Sequence, residues 1–123
     1  MESSCSCGGT VTMLLACSGG SNVGQISNEV ARRLTVDNCG VMFCLAGLGG
    51  DVEPLIERTR GAERILVIDG CPVACAKKVL DRHGIAHQWL ELTGLGIEKC
   101  PDLELKADEV AVAMDAAEKC LEA

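Results

Sequence analysis

Aromatic residues are almost missing from this chain. Trp89 and Phe43 stand alone among 123 residues, and tyrosine is absent. A core therefore has to be assembled from Val, Ile, Leu, Ala and Cys. Positive charge is also scarce. Eleven Lys and Arg face 18 Asp and Glu, a net charge of −7, and the basic residues form no patch. That excludes nucleic acid and anionic membrane surfaces as expected partners. No stretch approaches the ~20 apolar residues of a membrane span. No Ser-His-Asp arrangement or paired-carboxylate motif points to hydrolysis. The glycine-rich loop at Ser18–Gln25 lacks both the Lys-Ser/Thr ending of a P-loop and the dinucleotide glycine spacing. No C-x-x-C pair is present, so the chain is not a zinc ribbon.

What is abundant is cysteine. Nine occur, an odd number, within an alternating strand–helix pattern able to make its own core. A secreted disulfide scaffold fits that poorly, and clustered cysteines in a reducing compartment are more often ligands or redox groups. The expected location is the cytoplasm. Leu14-Leu15-Ala16-Cys17 has the look of a lipoprotein cleavage site. The residues before it carry Glu2 and no Lys or Arg, and the apolar run Val11 to Ala16 is short for an export signal.

Residues 1–9, with Cys5 and Cys7, are expected to be a flexible cysteine-containing arm. Residues 10–123 read as a single α/β domain: a three-layer, doubly wound parallel sheet of about four strands. Thr10 to Ala16 reads as strand one. Val23, Ile26, Val30 and Leu34 recur at helical spacing behind Ser21 or Asn22 as cap. Val41 to Leu45 reads as strand two, Ile65 to Ile68 as strand three and His87 to Leu92 as strand four. Asp51 is expected to cap a short helix holding Leu55 and Ile56. A last helix from about Asp108 carries Val110, Met114, Ala117 and Leu121 on one face. Right-handed crossovers place strand one between strands two and three.

In parallel α/β sheets, sites form at the carboxyl edge of the strands. Cys17 ends strand one, Cys44 lies at the end of strand two, and Cys71 ends strand three. Pro72 suits a first helical position, which predicts Cys71 as helix cap and Cys75 about one turn in. Four thiolates can satisfy tetrahedral zinc. Cys100 is a further candidate ligand, Cys39 a substitute for Cys44, and Cys120 is expected to be structural. Iron–sulfur binding is open by residue type. Asp69 either orients a ligand or caps the following helix. His83 and His87 read as a helix-end residue and a strand residue, because Gly84 separates them.

The run Asp69-Gly70-Cys71-Pro72-Val73-Ala74-Cys75-Ala76-Lys77 resembles the signature of the DGC-domain proteins, a prokaryotic family described as zinc-binding. The similarity extends to Cys17-Ser18-Gly19, to Gly24-Gln25 with Asn28, and to Cys44-Leu45-Ala46-Gly47-Leu48-Gly49-Gly50. Some relatives carry another cysteine where this chain has Gly20. The resemblance implies a metal site built from Cys17, Cys44, Cys71 and Cys75, with zinc as the expected ion and storage, delivery or sensing as its use. The alternative is a thiol–disulfide or sulfur-transfer enzyme with Cys71 as nucleophile and Cys75 or Cys44 resolving it.

Overall fold

A computed structural model describes residues 10–122. The expected arm at residues 1–9, including Cys5 and Cys7, lies outside the described residues. Four parallel strands form one sheet in the order β2-β1-β3-β4: β1 at Thr12–Ala16, β2 at Val41–Met42, β3 at Arg64–Asp69 and β4 at Gln88–Glu91. The helices are α1 at Asn22–Val36, α2 at Leu45–Gly49, α3 at Glu53–Arg60, α4 at Cys75–Arg82 and α5 at Ala107–Glu122. Strand one is central, as the crossover rule requires.

Side chains alternate across the strands and separate two cores. Leu14, Leu66, Ile68 and Leu90 face α1 and α5, where Ile26, Val30, Ala113 and Ala117 meet them. Leu15, Ile65 and Val67 face the opposite way, against Leu48, Ile56, Ala76 and Leu80. Helices therefore cover both faces, giving three layers. Among the described residues no helix is long and apolar enough to cross a membrane. The stretch that has the look of a cleavage site is the central strand, with Leu14 and Leu15 fully buried.

Asp51 does not cap α3, whose N-cap is Val52 with no side-chain bond, because its carboxylate is turned to Arg82 and His83. Two further elements differ from the sequence expectation. Strand two is two residues long, and Phe43 bonds back to Leu14 (2.9 Å) before the chain turns. Cys44 therefore does not end a strand; it sits at the N-cap of α2 in extended backbone. Gly47, inside α2, packs closely on α3: a Cβ there would meet the Leu55 side chain at 2.2 Å. The second difference is the start of α4. Residues 71–74 form a turn closed by the Ala74 N–H on the Cys71 carbonyl (3.1 Å). Ala74 adopts the left-handed region (φ 60°) and the helix begins at Cys75. Pro72 thus lies in a turn, where its fixed φ is equally at home, and Cys71 is not the cap. His83 ends α4, with its Nε2 2.9 Å from the Leu48 carbonyl, and His87 Nδ1 is 2.8 Å from the Ile85 carbonyl. His83 is thus the helix-end residue expected, whereas His87 lies just before β4 and not in the strand.

Candidate metal and thiol site

The carboxyl edge of β1 and β3 is drawn together by backbone. The Cys17 N–H continues the ladder onto the Ile68 carbonyl (3.0 Å). A Cβ at Gly70 would meet the Val23 carbonyl carbon at 2.6 Å and the Gly24 nitrogen at 2.8 Å, and a Cβ at Gly24 would meet the Gly19 nitrogen at 2.7 Å. Glycine at these two points lets the end of β3, the start of α1 and the Ser18–Ser21 loop pass in contact. Ser21 caps α1 by accepting the Gly24 N–H (3.1 Å).

Cys17 sits in this junction. Its sulfur accepts the Gly70 N–H (3.2 Å) and lies 3.1 Å from the Ser27 hydroxyl, which also donates to the Cys17 carbonyl (2.6 Å). Burial pushes the Cys17 thiol above its ordinary value. The bonds to Ser27 and Gly70 pull the other way, and the charges of Asp69 and Cys71 add to the rise.

Asp69 settles the helix behind the site. It is 1% exposed. Oδ1 accepts the Ala76 N–H (2.9 Å), while Oδ2 accepts the Lys77 N–H (2.9 Å) and the Trp89 indole N–H (2.9 Å). Ala74 has no side chain to cap α4, so the carboxylate from the strand end supplies the cap. Of the two sequence readings, the helix-capping role is the one seen.

Cys17, Cys71 and Cys75 line one cavity of about 400 Å³, floored by Gly70 and walled by the Ser18–Ser21 loop. Cys44 opens onto a neighbouring cavity of about 440 Å³ that shares Ser18 and Leu45 with the first. Cys17 and Cys71 are half-buried, and Cys44 and Cys75 are exposed; all four are free thiols. Among the described residues no three His, Cys, Asp or Glu side chains stand together in metal-holding geometry. The donors suit a thiophilic ion, and loading one would require the sulfurs to close on it.

Of the other described cysteines, Cys39, Cys100 and Cys120, none lines either cavity. Cys39 precedes β2, is buried, and is not among the free thiols. The Cys120 carbonyl accepts from Arg64, the first residue of β3, which puts it toward the amino edge of the sheet. Burial raises its thiol as well. Cys100 flanks the start of α1, held by Asn22: its N–H donates to Asn22 Oδ1 (2.7 Å) and its carbonyl accepts the Asn22 N–H (3.0 Å).

One member of the site escaped sequence reasoning. Lys99 lines the cavity, and its Nζ is 3.4 Å from Cys71 Sγ. The pair is 28 residues apart in an irregular segment, so no periodicity or spacing could flag it.

The DGC domain profile matches residues 13–117 of the chain. A 73-residue stretch, 59% of the chain, is 47% identical to the "Anaerobic and virulence modulator AnvM" of Pseudomonas aeruginosa. That stretch spans 56% of the length of the Pseudomonas protein. No solved structure matches the chain. With the profile covering most of the chain, on the very elements that bear Cys17, Cys44, Cys71 and Cys75, the chain belongs to the DGC domain family.

Proposed function

We propose that this is a cytoplasmic zinc-binding protein whose ion is held by Cys17, Cys71 and Cys75, with Cys44 as the fourth ligand. The observation that carries the reading is the opening of three free thiols, from the end of β1, the turn after β3 and the first residue of α4, onto one cavity. Sulfur donors are what zinc takes in closed four-ligand sites. Cys44 caps a five-residue helix with no side-chain bond of its own, so little holds it back from turning toward the shared wall at Ser18 and Leu45. Ligation requires thiolates, and the raised Cys17 thiol must release a proton on loading. Affinity therefore falls as pH falls. A thiolate zinc site also loses its ion when the sulfurs oxidise, which suits sensing, and anaerobic modulation is named in the Pseudomonas relative.

The test is elemental analysis of protein purified without added metal, followed by zinc titration of the metal-free form. About one zinc per chain is expected, with cobalt substitution giving sulfur-to-metal charge-transfer bands. Cys71→Ser should weaken binding by at least tenfold. Wild type that takes no zinc at neutral pH refutes the reading.

A second reading has its own observation. The Lys99 ammonium beside Cys71 Sγ resembles the cationic surroundings of nucleophilic cysteines. In a thiol–disulfide enzyme, the Cys71 sulfur would attack a disulfide substrate, form a mixed disulfide and release one thiolate. Cys75 would then displace the second. Turnover of a small disulfide by metal-free protein, with an added thiol reductant to regenerate Cys71 and Cys75 from their disulfide, would favour it if lost in Cys71→Ser.

A further inference from the structure

Lys99 does not reach Cys71 by the fold of a regular element. It is carried there by a strap, residues 97–100, that crosses the start of α1. Asn22, the first residue of that helix and only 3% exposed, binds the strap at three points. Its side-chain amide donates to the Glu98 carbonyl (2.8 Å), its Oδ1 accepts the Cys100 N–H (2.7 Å), and its backbone N–H donates to the Cys100 carbonyl (3.0 Å). Ile97 anchors the strap in the core. Both residues flanking Lys99 are therefore fixed, and the ammonium is delivered to the cavity rim.

Three features of the cavity follow from that delivery. Its volume of about 400 Å³ lies in the range of pockets for small organic molecules, far beyond the needs of one bare ion. Among its described lining residues Lys99 carries the one positive charge and Asp69 the one negative. The Asp69 carboxylate is turned to Ala76, Lys77 and Trp89, and among the described residues it forms no ion pair with Lys99. Lys99 is exposed at the cavity rim, and among the described residues the polar neighbour of its ammonium is the Cys71 sulfur (3.4 Å).

We propose that the cavity binds a small organic acid, its carboxylate on the Lys99 ammonium and its adjoining atoms against Cys71 Sγ. The strap makes Lys99 the residue that determines specificity, and Asn22 the residue that positions it. This goes beyond the zinc reading and does not depend on it. The pocket prefers an anion at one point on a molecule whose net charge of −7 repels anions elsewhere.

Two alkylating probes of nearly the same size, iodoacetate and iodoacetamide, isolate that preference. In either reaction the Cys71 sulfur forms a bond to carbon as the carbon–iodine bond breaks; iodide leaves and the thiol proton passes to solvent. Rates are read at Cys71 and Cys75 separately, by peptide mass analysis of reduced, metal-free full-length protein in 0.15 M salt. The screening length there, about 8 Å, exceeds the 3.4 Å contact. The iodoacetate-to-iodoacetamide rate ratio at Cys71 is expected to exceed that at Cys75 at least fivefold. Lys99→Gln should bring the two ratios together, and Lys99→Arg should keep them apart. Trp89 emission checks that each variant is folded. Equal ratios in wild type, or a Cys71 preference that survives Lys99→Gln, overturns the proposal. A folded Lys99→Arg that loses the preference does so too, because any cation on the strap should serve. Zinc binding without the preference removes this inference alone, and the preference without zinc leaves it standing.

Discussion

The two sides of the cysteine cluster are built to different standards. On the β3–α4 side, a buried carboxylate ties a strand end to the first turn of a helix and to an indole, and Gly70 locks that strand end against α1. On the β2–α2 side, a two-residue strand leads into a five-residue helix with no side-chain cap, and Cys44 is exposed. One side holds Cys17, Cys71 and Cys75 to a common cavity. The other presents Cys44 from next door. The difference teaches that the site has a rigid half and a lightly held half. On the zinc reading proposed above, a centre that opens to admit an ion and closes to retain it would use both halves.

The sharpest way to break this contrast is at Asp69. Asp69→Ala leaves one buried and two partly buried donors without their acceptor and should cost about 3 kcal/mol, since bonds to a charged group are the strong ones. Urea unfolding followed by Trp89 emission measures it, and the folded variant's emission should shift as the indole loses its partner. A cost below about 1 kcal/mol would mean that the rigid half is held by something else.

Gly70→Ala comes next. The added methyl meets backbone of Val23 and Gly24 at 2.6–2.8 Å, which no side-chain motion relieves. Overpacking of this kind costs about 1–3 kcal/mol, and here it should also loosen Cys17 from the Gly70 N–H, speeding Cys17 alkylation.

Cys44→Ser sharpens the comparison from the loose side. In metal-free protein it should change stability by less than about 0.5 kcal/mol, because the residue is exposed, yet it should weaken zinc binding. An equal stability loss for Cys44→Ser and Asp69→Ala would erase the distinction between the halves.

The smallest effects are electrostatic. Arg32, chiefly, and Arg33 hold the Glu29 carboxyl at about 2, against the usual 4.5, despite some opposing desolvation. Both arginine side chains are about half exposed, so screening limits the gain to about 0.2–1 kcal/mol. A depressed carboxyl contributes stability in full above its unfolded value and loses it as pH falls through the folded one. Glu29→Gln should therefore be slightly less stable than wild type at pH 7 and equal to it near pH 2. Cys17 runs the opposite way. Its raised thiol favours the fold below the ordinary value of 9.0 and loses that contribution as pH climbs past it. Wild type should accordingly lose stability above pH 9 more steeply than Cys17→Ser.

Much of this molecule was legible in its residues. Unbroken apolar runs at Met13–Ala16 and Ile65–Ile68 mark strands buried on both faces, and the spacing of Val23, Ile26, Val30 and Leu34 marks α1. The crossover rule then ordered β2, β1 and β3 without any structural information. The start of α4 is ambiguous in the residues, because Pro72 fits both a first helical turn and a β-turn. The choice fell to Asp69, whose carboxylate caps two N–H groups seven and eight residues away. The length of β2 is not legible in the residues, because the apolar run continues through Phe43, Cys44 and Leu45 while the strand ends at Met42 and Cys44 caps α2.

The sequence by itself determined the α/β class, the central place of β1 and the gathering of cysteines toward one edge of the sheet, because strand and helix periodicity and the handedness of crossovers are local or nearly local rules. Only the tertiary structure decided that Cys17, Cys71 and Cys75 share a cavity while Cys44 opens onto the next one. It alone set Asp69 under Trp89, and carried Lys99 to Cys71 on a strap pinned by Asn22. Those contacts join residues 20 to 78 positions apart. No periodicity spans such distances, and only the packing of the finished layers brings the atoms within reach.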